Sequence, residues 1–184
     1  MVWLVCQNDI MVDNPTEKDL YTVGTIAKIK VVRKKEGFMR VTFTGMRRAK
    51  LAKLYDSKEL MYADVTPLTD SYGDKSEEYA LVKKVVDKLE GMAQVAAVFP
   101  PEVVQQLSLG VNAETLGDQF GQYFSLFDQA TRQRLLETTN VNDRLLLIVE
   151  ELEKQQRYSE LETVINDRVK DRIDDSQKEY YLRE

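Results

Sequence analysis

The sequence predicts an α+β fold in which the strands come first and the helices follow. Residues 25–44 alternate apolar and polar side chains on both sides of a charged turn, as a β-hairpin does. From residue 74 onward, apolar residues recur at the three- and four-residue spacing of a helix. Residues 158–184 contain no glycine or proline and keep that spacing, which indicates a long last helix.

The predicted β region begins with a short apolar strand at residues 2–5, followed by an Asp-Asn-Pro turn at residues 13–15. Gly37 supplies the turn of the hairpin, and Gly45 is expected to end its return strand. A further strand is expected at residues 60–65. The hairpin places apolar side chains on one face, with Ala27, Ile29 and Val31 on its first strand and Met39, Val41 and Phe43 on its return strand.

The predicted helical region begins at Asp74, which can cap a helix together with Glu77 in a capping box. Its apolar stripe runs over residues 81–96, and a short helix is expected after Pro101. Asn112, Asp128 and Asn142 are expected to open further helices, and short helices with short connections predict a compact bundle. We therefore divide the chain into a β lobe (1–70), a helical bundle (74–157) and a long helix (158–184).

The last helix has a narrow apolar stripe and a mostly charged circumference. Leu161, Ile165, Val169 and Ile173 recur every four residues. No glycine or other stop signal follows them, so the sequence predicts that this helix continues into a further part of a larger protein.

The residues that are missing exclude several classes of function. There is no histidine and only one cysteine, which excludes Ser-His and Cys-His catalytic pairs and the usual zinc sites. Neither a GxxxxGK[ST] loop nor a GxGxxG loop is present. The longest apolar run, residues 145–149, is far short of the ~20 residues of a membrane span. We expect a non-catalytic chain without a metal or cofactor, with no membrane partner and in the cytoplasm, since no signal peptide pattern or disulfide pair is visible.

Charge is unevenly distributed along the chain, whose net charge is -5. Between Lys28 and Lys53 there are ten basic residues and one acidic residue, so this segment carries +9 and the remainder carries -14. A solvated hairpin face, or a docking face for acidic helices or acidic clients, is one interpretation, and nucleic-acid binding is another. The candidate docking residues are Arg33, Lys34, Lys35, Arg47 and Arg48.

Several segments, taken in this order and spacing, resemble the N-terminal domain of Lon ATP-dependent proteases. They are residues 19–29 (DLYTVGTIAKI), Gly37, residues 40–41, 45–49 (GMRRA), 99–103 (FPPEV), 135–137, 141–145 (VNDRL) and 176–184 (SQKEYYLRE). The resemblance implies a PUA-like β-pseudobarrel lobe followed by an α-helical bundle that ends in a long protruding helix. The family's usual first strand and helix have no counterpart here, so the β lobe is expected to lack them.

The resemblance also implies a function, which is to recruit unfolded or tagged polypeptides and help deliver them to an ATPase ring. The ATPase module and the serine peptidase, which would use ATP and Mg, would lie elsewhere in the same chain of a hexameric parent. Recruitment needs exposed apolar surface that tolerates many sequences. The candidates are Leu161, Val164, Ile165 and Val169, with packing on the bundle or on a neighbouring subunit as the alternative for each of them.

Two other functions remain open at this stage. The long helix could assemble and space the subunits of a hexamer, since contacts along an amphipathic helix are simple to encode. The basic hairpin could bind DNA, although the pI of about 5.0 and the few interleaved aromatic residues argue against this third hypothesis.

Overall fold

The computed structural model describes residues 1–56, 61–92, 112–123 and 128–183, and at residues 56, 119, 122–123 and 176–183 it describes the backbone alone. The chain divides into two compact units. The first, which we call the sheet unit, contains Met1–Tyr72 and Gln129–Val141, and the second, the helical unit, contains Gly73–Asp128 and Asn142–Glu184. The sequence division had all residues from 74 to 157 in one bundle, whereas in the structure residues 129–141 group with the sheet.

The sheet is a four-stranded antiparallel meander in the order β1-β2-β3-β4. Its strands are β1 (Val2–Leu4), β2 (Val23–Lys35), β3 (Phe38–Asp56) and β4 (Met61–Pro67), and a short 3-10 turn (Glu17–Asp19) precedes β2. Strands followed by helices confirm the predicted α+β class.

Gly37 makes the turn between β2 and β3, as predicted, with φ of 81°. The expectation that Gly45 ends the return strand is wrong. Gly45 lies opposite the buried Ala27, and the strand continues past it after a register shift that leaves Met46 as an extra residue. A bulge therefore accommodates the glycine where a strand end was expected.

A second bulge changes which side chains share a face of the hairpin. The register shifts between Ile29 and Val31, so that Ile29 lies opposite Phe43 but Val31 lies opposite Thr42. Adjacent residues of β3 point to opposite faces, so Val31 and Ile29 are also on opposite faces. The prediction that Ala27, Ile29 and Val31 share one face is wrong for Val31, because the extra residue Lys30 reverses the alternation.

Four helices lie in the described residues, and we label them α1 (Lys75–Glu90), α2 (Ala113–Tyr123), α3 (Gln129–Glu137) and α4 (Val141–Arg183). The helix predicted after Pro101 and the last part of the 81–96 stripe lie outside the described residues. The helix predicted to open at Asn142 and the last helix form one continuous helix of 43 residues, roughly 65 Å long.

A side-chain cap and a contact with α4 fix the start of α1. Asp74 accepts hydrogen bonds from the backbone N–H groups of Ser76 and Glu77 at 2.8 and 3.0 Å, which confirms Asp74 as the predicted N-cap of α1. The Glu77 carboxylate accepts a hydrogen bond from Asn142 Nδ2 at 2.9 Å, and this amide also donates to the Asp74 carbonyl at 3.0 Å. The start of α1 is therefore tied to the first turns of α4.

Helix α3 completes the sheet unit. Leu135 is buried, as are Val23 and Ala27 of β2 and Ala49 of β3. Gln133 Nε2 donates to the Val23 carbonyl at 3.0 Å in a buried position, and a polar group buried in this way requires such a partner. This hydrogen bond joins residues 110 positions apart, which is why local sequence patterns do not reveal it.

The core of the helical unit contains an arginine among apolar side chains. Val85, Leu89, Leu116, Phe120, Leu145, Ile148 and Leu152 are buried, and Arg144 is completely buried with them. The Arg144 guanidinium donates to Asp118 Oδ1 at 3.3 Å. A Cβ on Gly117 would lie 2.8 Å from Arg144 Cδ, so only glycine leaves room for this side chain.

Replacing Gly117 by alanine tests this close approach. The new methyl would collide with a buried side chain at its Cδ, and we expect a loss of about 1–3 kcal/mol in unfolding free energy from overpacking. In the matched variant Gly121→Ala, nothing lies within 4 Å of the new Cβ, and we expect a gain of about 0.5–1 kcal/mol from helix propensity. Urea unfolding followed by far-UV circular dichroism measures both, and equal effects of the two variants would contradict the packing described.

Replacing Gln133 by methionine tests the docking of α3. The Val23 carbonyl loses a buried donor, and we expect the sheet unit to lose about 1–2 kcal/mol. In the control Gln129→Met, the lost hydrogen bond to the Gln7 carbonyl is exposed, so water replaces it and the change should stay within about 0.5 kcal/mol. The single tryptophan, Trp3, lies in β1, so its fluorescence during urea unfolding reports on this unit.

Candidate binding surfaces

The apolar stripe of α4 is exposed. Leu161, Val164, Ile165 and Val169 retain between 46% and 56% of their accessible surface. Spacings of three and four residues bring them together along one side of the helix. Ile173 continues the stripe at 51% exposure. Side chains that are half exposed along an entire stripe are not core residues, and we call this surface the α4 stripe.

The first turns of α4 hold the stripe on a fixed base. Leu145, Ile148 and Leu152 are buried, whereas every described side chain from Glu160 to Asp175 is exposed. Near the transition, the Glu153 carboxylate lies 3.2 Å from Lys84 Nζ and 3.4 Å from Lys88 Nζ of α1. Hydrogen bonds from Lys84, which has the larger effect, and from Lys88 lower the pKa of Glu153. The first turns of α4 are thus packed in the core, and the part that carries the stripe is exposed.

The β2–β3 hairpin presents a second exposed apolar surface. We call its distal part, residues 28–47 with the turn at Gly37, the ribbon. The β2–β3 register puts Ile29 with Phe43, Val32 with Val41, and Lys34 with Met39 on one face. Ile29, Val32 and Met39 are 51%, 53% and 65% exposed. The alternation along β3 correctly predicts which apolar residues share a face but not that they face water, because alternation does not show whether anything covers that face.

The other face of the ribbon is basic. It carries Arg33 opposite Arg40, Lys35 opposite Phe38, and Lys28 opposite Thr44. The ribbon as a whole has seven basic residues and one acidic residue, a net charge of +6. Within the described residues, none of these seven takes part in a salt bridge.

The candidate docking residues therefore lie in two settings. Arg33, Lys34, Lys35 and Arg47 are exposed on the ribbon. The Arg48 side chain is only 14% exposed, and its Nη1 lies 3.4 Å from the Asp70 carboxylate. Arg48 ties β3 to the segment after β4, so it does not belong to the open basic surface.

The candidate site consists of the exposed surfaces of the α4 stripe and the ribbon. Across the parts of the chain that the structure describes, no three His, Cys, Asp or Glu side chains come together as a metal site. Among the same residues, no helix has the length and apolar content needed to cross a membrane. What the described geometry provides is two bare apolar surfaces, one of them backed by positive charge.

Comparison with known proteins places the chain in a family. Residues 1–154 match the family of the ATP-dependent protease La (LON) substrate-binding domain. The chain belongs to the Lon substrate-binding domain family. This match confirms the resemblance that the sequence segments indicated. The matched residues include the ribbon but not the α4 stripe.

The relatives that the chain matches are Lon proteases, and a solved structure shares its fold. The Lon proteases of Escherichia coli (strain K12) and Syntrophomonas wolfei are 32% and 33% identical to it over all 184 residues. The chain spans less than a quarter of their length, 23% and 22% respectively. The N-terminal domain of the Mycobacterium avium complex Lon protease has a similar fold, with a TM-score of 0.63 at 23% identity over 76% of this chain and 74% of that one.

Replacing Glu153 by glutamine tests the anchoring of α4 through its pH dependence. A carboxylate whose pKa is lower in the folded state stabilises the fold above its unfolded pKa of about 4.3, and that stabilisation disappears as the pH falls through the folded value. Between about pH 5 and 3, the stability of the wild-type helical unit should fall more steeply than that of Glu153→Gln. Glu162→Gln, in the bare part of α4, should leave the slope as in the wild type, and identical slopes for all three proteins would contradict this anchoring.

Proposed function

We propose that this Lon domain recruits unfolded or tagged polypeptides and helps deliver them to the ATPase ring of a Lon-type protease. The observation that carries the proposal is the bare α4 stripe, whose four candidate residues remain about half exposed. Membership of a substrate-binding domain family supports it. The domain itself performs no chemistry in this proposal, and the peptidase and ATPase lie in other parts of the protease.

The physical requirement for such a binder is apolar surface without a fixed shape. Unfolded chains expose apolar side chains in no set order, so a pocket shaped for one sequence would bind few unfolded chains. A stripe of Leu, Ile and Val on a helix can accept varied apolar side chains, and burial contributes about 25 cal/mol per Å² of apolar surface. The packed base of α4 keeps the stripe in place, which limits the ordering cost of binding.

ATP and Mg²⁺ belong, in this proposal, to the ATPase module of the protease. The sequence has no phosphate-binding loop, which supports placing these groups in another module. We also propose the remaining features of the parent: a hexamer, located in the cytoplasm, with ATPase and protease domains in the same chain. The Lon protease relatives that the chain matches support them.

A second candidate function is assembly. The α4 stripe lies outside residues 1–154, which match the substrate-binding family, and this favours a contact with a neighbouring copy in the hexamer. An amphipathic helix face that packs on a second helix would bury the same residues that recruitment needs exposed. The two functions predict different results for one set of variants.

The decisive variant replaces the four stripe residues by glutamine, which keeps helix propensity and removes apolar surface: Leu161→Gln, Val164→Gln, Ile165→Gln and Val169→Gln. We expect its affinity for fluorescein-labelled casein, an unfolded protein, to fall about tenfold or more relative to the wild type, as measured by anisotropy. The matched control changes four residues on the opposite side of α4 and should bind casein as the wild type does: Thr163→Gln, Asp167→Gln, Lys170→Gln and Asp174→Gln.

Sedimentation of the same proteins separates the two functions. Recruitment predicts an unchanged mass for the stripe variant together with the loss of casein binding. Assembly predicts a lower mass and unchanged casein binding. If the folded wild type does not bind casein at all, the recruitment proposal is contradicted for this chain.

A further inference from the structure

The ribbon has two open edges. β1 pairs only with Thr25–Ala27 of β2, and β4 pairs with β3 only from Ala49 onward. Among the described strands, nothing else pairs with residues 28–35 of β2 or 38–47 of β3. A strand edge with unpaired N–H and C=O groups is a template for another strand.

The two edges differ in regularity. The edge of β2 is interrupted by the bulge at Lys30, and bulges are one of the devices by which proteins block strand addition. On β3, the register from Phe38 to Gly45 contains no extra residue until Met46. β3 therefore offers an uninterrupted edge of eight residues, from Phe38 to Gly45.

The side chains along that edge alternate in chemistry. Met39, Val41 and Phe43 point to the apolar face of the ribbon, and Arg40 points to the basic face. Arg33 lies directly opposite Arg40 on that basic face. Like charges directly opposite each other in a sheet are destabilising, so a carboxylate placed beside Arg40 would offset the repulsion between the two arginines.

We propose that an extended polypeptide segment with alternating apolar and acidic residues adds as a strand to the β3 edge between Phe38 and Gly45. Its apolar side chains would flank Met39, Val41 and Phe43, and its carboxylates would lie beside Arg40, with Arg33 on the other side of Arg40. Backbone hydrogen bonds would supply most of the affinity and the alternation would supply the preference. The proposal rests on the proposed recruitment function and names the class of segment that the ribbon takes and how it is held.

Charge and surface chemistry together favour a polypeptide over a nucleic acid. The ribbon carries +6 while the whole chain carries -5, so an acidic partner is drawn to this segment in particular. A phosphate backbone would neutralise the charge of the basic face but leave Ile29, Val32 and Met39 exposed to water. An alternating peptide strand covers both faces at once.

The test measures binding of labelled peptides to the full 184-residue chain by fluorescence anisotropy. An alternating valine–glutamate peptide should bind at least about tenfold more tightly than an alternating valine–lysine peptide or a peptide with the same composition in two blocks. Arg40→Glu should weaken binding about tenfold or more, whereas Lys83→Glu, an equal charge change at an exposed position of α1, should have little effect.

Strand addition is distinguished from surface adsorption by N-methylation. Methylating every second amide of the peptide blocks one of its edges, and methylating the others blocks the opposite edge. Strand addition predicts that one of the two methylated peptides loses binding and the other retains it. Equal binding by both methylated peptides overturns strand addition, and equal losses in Arg40→Glu and Lys83→Glu overturn the proposed site.

The result for casein keeps this proposal separate from the recruitment function. If the wild type binds casein but not the valine–glutamate peptide, the ribbon proposal is overturned while recruitment stands. The α4 stripe variant should still bind the peptide, because the ribbon is intact in it. If a DNA duplex binds to the ribbon and the peptide does not, the polypeptide assignment is wrong.

Discussion

A single helix or a two-stranded ribbon cannot cover its own apolar side chains, because burial requires a second layer of structure. α4 has such a layer at Leu145 and Ile148 and lacks it at Leu161 and Ile165, although all four lie on one continuous helix. β2 likewise runs from the buried Val23 to the exposed Val32 within one strand. Both proposed binding surfaces are the bare continuation of an element whose other end is in a core.

The packed ends of α4 and β2 hold their exposed ends in place before a ligand binds. Burying an aliphatic side chain is favourable by about 1.5–3 kcal/mol relative to leaving it exposed. A ligand that covers the exposed side chains of the stripe and ribbon would gain part of this free energy. Binding can use it only if the surface does not have to be ordered first. The Arg144–Asp118 contact and the Asn142 amide hold the start of α4, and Gln133 holds α3 to β2. These interactions make both surfaces pre-organised.

The sequence predicted the features that depend on local chemistry. The hairpin with its turn at Gly37, the cap at Asp74 and the apolar spacing of the last helix all follow from neighbouring residues and are present in the structure. The bulge at Lys30 could not be predicted, because it is a relation between two strands and not a property of either. The same holds for Gln133 and Val23, which are distant in the sequence, and for Arg48, whose partner Asp70 removes it from the open basic surface. Exposure of the ribbon was equally hidden, since the alternation of Met39, Val41 and Phe43 is the same whether or not a layer covers it.

The central claim is that polypeptides bind to the bare surfaces and leave both cores unchanged. Hydrogen–deuterium exchange of the chain with and without casein tests this claim most directly, because it reports the opening of each segment separately. The account predicts slower exchange in residues 38–45 and in residues 158–173, with unchanged exchange in the packed parts of α1, α2 and α3. Protection confined to the packed helices, with the ribbon and the α4 stripe exchanging as in the free chain, would contradict it.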